Sequence, residues 1–189
     1  MSFITVKVEA QTYQDTIKLH QQHLTNEYLN PEKSPLSQQD LKEFKGHDFF
    51  PINAAFKVRA QFERTADAVP FLMKTTTDRL PYYQVYGVAT FNINGKAYRL
   101  NIYQSLRLRQ TVAQENPLFL PFTDTTNGIE TYGGGRFIDL SVPEENTITI
   151  DFNKAYNPYC AYSPRYSCPI PPKENDLAIA ITAGIKKPK

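Results

Sequence analysis

The sequence predicts a mainly antiparallel β protein of the α+β kind, a sandwich or partly closed barrel of seven or more strands behind two N-terminal helices. Three observations carry this expectation. Hydrophobic period switches from 3.6 to 2 after Pro51, Asn94-Gly95 separates two alternating runs, and no helical pattern falls between the later runs. Without crossover helices, parallel β-α-β units are not expected. A chain of 189 residues suits one domain with one core. That domain spans 1–189, with helices in about 14–45 and a β core over 52–184.

Taken in order, Ile17, His20, Leu24 and Tyr28 form an apolar stripe at helical spacing, so 14–28 reads as a helix that Pro31 and Pro35 end. His20 and His23 belong to its surface or edge. Ser37 and Asp40 mark the start of a second, short helix stopping before Gly46. Phe56, Val58, Ala60 and Phe62 alternate with polar residues, the mark of a half-buried strand. A second strand is expected over 69–76. Runs 84–93 and 96–105 flank Asn94-Gly95 as a hairpin, with Phe91, Ile93, Tyr98, Leu100 and Ile102 on its buried face. Further strands are expected at 117–123, 136–142, 147–154 and 177–183. No internal repeat is visible.

Composition narrows the function classes. Apolar residues at 41% and charged residues at 21% lie in the globular range. Twelve Tyr and twelve Phe without Trp favour strands. With 21 basic and 19 acidic residues there is no dense basic face, and no nucleic-acid partner is expected. Arg99, Arg107 and Arg109 read as a solvated face. No run approaches the roughly 18 apolar residues of a membrane span. The opening Met-Ser-Phe-Ile-Thr-Val-Lys has no apolar core or cleavage site, so a cytoplasmic location and reduced thiols are expected.

Glycine and proline are unevenly placed. Gly128, Gly133, Gly134 and Gly135 are half of the eight glycines. Pro158, Pro164, Pro169, Pro171 and Pro172 crowd beside Tyr156, Tyr159, Tyr162, Tyr166 and both cysteines. A strand-free run from 155 to 172 exceeds the roughly 12–15 residues of an ordinary structureless loop. Its tyrosines and cysteines demand burial, so it reads as ordered and packed.

Two stretches here, Phe122 to Phe137 (FTDTTNGIETYGGGRF) and Asp151 to Asn175 (DFNKAYNPYCAYSPRYSCPIPPKEN), resemble the signatures of the family called domain of unknown function 1684. Phe44 to Pro51 (FKGHDFFP) resembles its N-terminal landmark, and the likeness runs from about Ser34 to Lys186. The resemblance implies a family and no activity. An aliphatic residue is usual in the family where this chain has His47, and Glu where it has Ile185. The first difference weakens a catalytic role for His47; the second removes one acid.

The residues themselves suggest a site. Three glycines before Arg136 expose backbone N–H groups to an anion that the guanidinium can grip. The alternative is a tight turn, with Arg136 paired internally to Asp124 or Glu130. This is neither a P-loop nor a dinucleotide fingerprint. Thr149, Asp151 and Asn153 share a strand face opposite Ile148, Ile150 and Phe152. With Asp124 and Glu130, carboxylates for acid–base chemistry would converge. Alternatively Asp151, Asn153, Asn157 and Asn175 hydrogen-bond irregular backbone. Cys160 and Cys168 lack metal-knuckle spacing, with only His47 to help, and no metal or cofactor is expected. Buried thiols and a disulfide or redox pair both remain open. No Ser-His-Asp or Cys-His arrangement is supported.

Three functions compete. The first is a domain binding a small polar or anionic ligand through Tyr132, Gly134, Gly135, Arg136, Asn153, Tyr156 and Asn157. The second is a hydrolase or lyase with Asp151, Glu130 or Asp124 as catalytic base and Arg136 as electrostatic stabiliser. The third is a structural role, the loop closing a sheet edge or the interface of a homo-oligomer.

Overall fold

In the computed structural model, which describes residues 2–107 and 118–188, the chain opens with α1 (Ser2–Leu29) and α2 (Gln38–Glu43). Ile17 and Tyr28 are buried and His20 and Leu24 half-buried, so the expected stripe is the face of α1 that packs. The helix starts earlier than expected because 2–13 hold no glycine or proline to stop it. Ser37 caps α2, its Oγ accepting the Asp40 N–H at 3.1 Å and donating to the Asp40 carboxylate at 2.6 Å.

Eight strands follow: β1 (Lys57–Arg64), β2 (Phe71–Leu72), β3 (Tyr82–Ile93), β4 (Lys96–Ser105), β5 (Leu118–Asp124), β6 (Arg136–Leu140), β7 (Thr147–Asp151) and β8 (Asp176–Leu177). They form one sheet of order β6-β5-β4-β3-β1-β7, with β2 on β3 and β8 on β5. It curls into a half-barrel, and every pairing but β5 with β8 is antiparallel. The fold class is the one expected from the sequence. Asn94 and Gly95 both adopt positive φ, 52° and 78°, as a two-residue hairpin turn requires.

The concave face is filled by side chains. Phe56, Phe62, Phe91, Leu100, Ile148 and Ile150 are all buried there. Phe122 and Phe152 meet edge to face at 5.2 Å and close the middle. At Gly87 the β3–β4 register slips, and a Cβ there would stand 2.3 Å from the Phe62 ring. Only glycine lets the strands pass.

Four expected strands are shorter than their patterns, and 136–142 ends at Leu140. Of 69–76, Phe71–Leu72 pairs with β3 and Thr75 makes an isolated bridge to Pro169. The run 147–154 turns at Phe152 into a 3₁₀ turn, because the Asp151 side chain accepts the Asn153 N–H at 3.1 Å. The run 177–183 leaves the ladder after Leu177, since its carbonyls are taken by a side chain instead of a strand. Arg109 and the expected strand start at 117 lie outside the described residues. No described helix is long and apolar enough to cross a membrane.

Candidate functional site

The side chain that takes those carbonyls is Arg136. It sits on the inner face of β6 opposite Phe122 and is wholly buried. Its guanidinium donates to Asp124 Oδ2 at 2.7 Å and to the carbonyls of Ile181 at 2.8 Å and Ala183 at 2.6 Å. A longer bond of 3.3 Å reaches the Ile185 carbonyl. Asp124 Oδ1 in turn accepts from the Thr126 N–H, the Thr126 hydroxyl and the Ile181 N–H. Arg136 therefore stands in for a missing strand and laces the C-terminal segment to the barrel. It faces no cleft. The internal pairing to Asp124 is the one realised, and Asp124 is saturated.

The glycine turn is part of the same closure. Gly135 has φ 87° and packs against Pro171 and the Phe122 carbonyl. Gly134 lies against the Tyr132 ring, and the Tyr132 hydroxyl reaches Cys160 Sγ at 3.9 Å. Glu130 is exposed and tied in by its backbone, its N–H donating to the Thr126 carbonyl and its carbonyl accepting the Lys187 N–H, both at 3.0 Å.

The asparagines also bind backbone. Asn175 accepts from Asn101 N–H and donates to Asn101 O, both at 2.8 Å, and donates to Pro121 O at 2.7 Å. It bridges β4 and β5 where their own pairing fails. Asn153 exchanges bonds with Asn53, and Asn157 donates to Lys186 O and the Tyr162 hydroxyl. Asp151 accepts the Tyr13 hydroxyl at 3.0 Å on both oxygens, fastening α1 to the sheet. Burial and the Asp151 charge push the Tyr13 phenol well above its ordinary value. Arg136, Asp151, Asn153 and Tyr156, expected to line one concave site, are thus divided. Arg136 plugs the barrel, Asp151 and Asn153 anchor the helix, and Tyr156 alone faces an apolar cavity.

That cavity lies on the outer face of the sheet. Strand alternation places Phe137 and Asp139 outward on β6, with Phe119 of β5 in register with Asp139. Strand β6 ends the sheet, and Tyr156 docks on its open edge through paired backbone bonds with Phe137 of 2.9 and 3.0 Å. The docking carries the Tyr156 hydroxyl to Asp139, where it donates to both oxygens at 3.0 Å. Helix α1 roofs the pair, and the loop of Tyr159, Tyr166 and Cys168 forms the far wall. Phe119 meets Tyr83 at 5.9 Å and Phe137 at 4.8 Å, a continuous aromatic floor.

The cavity, open to solvent on one side, has a volume of about 540 Å³. A second, more polar cleft of about 940 Å³ runs along β6, β7 and α1, with Tyr13, Lys57 and Asp151 on its walls. Asp139 and Lys154 border both.

Asp139 is open to water but walled by protein, the ordinary condition of a group in a cleft. Desolvation raises its carboxyl above the usual range, against the Tyr156 hydroxyl, which favours the charged form. Tyr156 is raised well above 10 by burial and by Asp139. His20 is held low, chiefly by desolvation, with a hydrogen bond to the Lys154 carbonyl opposing. Among the described residues no three His, Cys, Asp or Glu side chains gather as a metal site would need.

Sequence reasoning passed over Asp139, Lys154, Tyr83 and Phe119. The signal for Asp139 was its alternation with Ile138 and Leu140, which turns it to the face of Phe137.

The fold is similar to the solution NMR structure of an uncharacterized protein from Haloarcula marismortui, at 28% identity and a TM-score of 0.72. The likeness covers 94% of this chain and 96% of that one. No curated protein matches the chain. The family model described as "Protein of unknown function (DUF1684)" matches residues 42–186, inside the range the two signatures implied. The chain belongs to the DUF1684 family.

Proposed function

We propose that this protein binds a small polar molecule in the cavity between α1, the outer face of β5–β6 and the Tyr/Pro-rich loop. One observation carries the reading. A carboxylate with spare acceptor capacity stands in a mainly apolar cavity of about 540 Å³, held by the single hydroxyl of Tyr156. Ligand cavities have this composition: an apolar lining and a few placed polar groups. Tyr156 spends its one proton on Asp139, leaving carboxylate lone pairs for a ligand N–H or O–H. Glu27 adds a second acid and Lys154 a single cation to the walls. This balance favours a ligand with donor groups on an apolar ring over an anion. The Arg136 guanidinium, the group suited to an anion, already serves Asp124 and three carbonyls.

The raised Asp139 carboxyl supports a second reading, in which the same cavity hosts a hydrolase or lyase and Asp139 takes a proton from the substrate. Asp124 and Asp151 have their oxygens occupied by protein donors and are poorer bases.

A thermal-shift screen of small polar compounds, repeated on Asp139→Asn and Tyr156→Phe, tests both. Binding predicts hits whose stabilisation is lost in Asp139→Asn. Catalysis predicts that Asp139→Asn keeps the affinity and loses turnover. Hits that stabilise both variants as well as the parent would place the ligand elsewhere and end the proposal.

A further inference from the structure

Cys160 and Cys168 are the only cysteines in the chain, and both are free. The proline-rich loop folds back on itself, so that the Cys160 N–H donates to Cys168 Sγ at 3.2 Å. Cys168 is buried and pinned: its N–H donates to Thr76 Oγ1 at 3.1 Å and its carbonyl accepts the Thr76 N–H at 2.9 Å. Cys160 is partly exposed, in the middle of a 3₁₀ turn over Tyr159–Ala161, with the Tyr132 hydroxyl beside its sulfur. One thiol is therefore reachable from solvent and the other is held behind it.

We propose that Cys160 and Cys168 form a thiol–disulfide couple, with Cys160 the attacking thiol and Cys168 the resolving one. The co-reactant is a low-molecular-weight disulfide. Cys160 thiolate attacks one of its sulfurs, a mixed disulfide forms, and the other half leaves as a thiolate that takes a proton. Cys168 then gives up its proton and attacks Cys160 Sγ, releasing the second half as a thiol. The protein loses two electrons and two protons, and the small disulfide gains both.

The environment sets the order of events. A hydrogen bond from the Cys168 thiol is the main cause that brings Cys160 down to about 6, which favours the thiolate, the attacking form. The same bond, with burial, pushes Cys168 up, so it does not compete as first attacker. Cys168 also lines the Asp139 cavity, and closing the bond alters one wall of it.

The test equilibrates the full chain with glutathione and glutathione disulfide over a range of ratios, then quenches with acid, alkylates and reads intact mass. The parent is expected to lose two hydrogens and both alkylation sites at the oxidising end. Cys168→Ser is expected to accumulate one glutathione adduct on Cys160. Cys160→Ser, with only the pinned thiol, should react roughly tenfold more slowly or less, as a buried unactivated thiol does. A parent that keeps both thiols at the oxidising end, carries only glutathione adducts, or cross-links only between chains overturns the proposal without need of either variant.

Discussion

Two polar clusters lie within a few residues of each other on β6, and they are built to opposite ends. Around Arg136 a guanidinium and the Asp124 carboxylate are both wholly buried, and four hydrogen bonds from the guanidinium and four to the carboxylate are made within the protein. Around Asp139, three residues on and facing outward, one tyrosine hydroxyl is the carboxylate's partner and the rest of its surface meets a cavity. A buried charge network sealed from solvent holds a fold together and offers a ligand no way in, even though the Arg136 Nε–H is left without a partner. A carboxylate with one protein partner and an open side is a recognition group. The glycine and arginine residues that stand out in the sequence belong to the first kind.

That comparison predicts its largest effect at Arg136. Arg136→Ala strands the Asp124 carboxylate and three carbonyls in the core, and should cost about 3–5 kcal/mol, the range for breaking a buried ion pair. Urea unfolding reads it directly, provided the variant folds. A loss under 1 kcal/mol would mean the cluster is not the strut described.

Asn175→Ala should come next. It leaves the Asn101 N–H and two carbonyls without partners between β4 and β5. A loss of about 2–3 kcal/mol is expected from unsatisfied buried groups. Protection of the Asn101 amide from hydrogen exchange should fall with it, which separates this role from general loosening.

Tyr13→Phe sharpens the picture for the helix. The hydroxyl joins α1 to Asp151 and Asn153, and its loss should cost about 1.5–3 kcal/mol, as for a hydrogen bond to a charged group. Limited proteolysis should then cut within α1 before the sheet gives way.

The sheet was largely legible in the sequence and the cleft was not, for physical reasons. The alternation at Phe56 to Phe62, the Asn94-Gly95 turn and the Ser37 cap are local signals, and each local rule won. Arg136 shares a face with Ile138 and Leu140 by the same alternation, but an arginine on an inner face contradicts the ordinary cost of burying charge. Its compensation comes from Asp124 together with carbonyls more than forty positions away, at Ile181, Ala183 and Ile185. The cavity likewise draws on α1, β3, β5, β6 and the loop together, a juxtaposition no window of sequence contains. Tyr156 was legible as a site residue because a tyrosine-rich, proline-stiffened loop must pack on something; that it packs on a sheet edge was not.

The smallest effect expected is at Asp139, and its sign is the sharpest test of the open cluster. Desolvation raises the carboxyl in the folded chain above the value of about 3.9 for an unfolded aspartate. The folded protein therefore holds this proton to higher pH than the unfolded one does. Its contribution is fully present below the unfolded value and is lost as pH rises through the folded one. Asp139→Asn removes that slope. The stability of the parent minus that of the variant, from urea unfolding at several pH values, should fall as pH rises from about 3.9 through the higher folded value. Other carboxylates titrate alike in both proteins and cancel in the difference. Tyr156→Phe removes the hydroxyl that favours the charged form, so in its background the same substitution should show a drop that extends to higher pH. A difference that rises with pH instead would mean that Asp139 is stabilised as an anion by partners of its own, as Asp124 is, and the two clusters would no longer differ in kind.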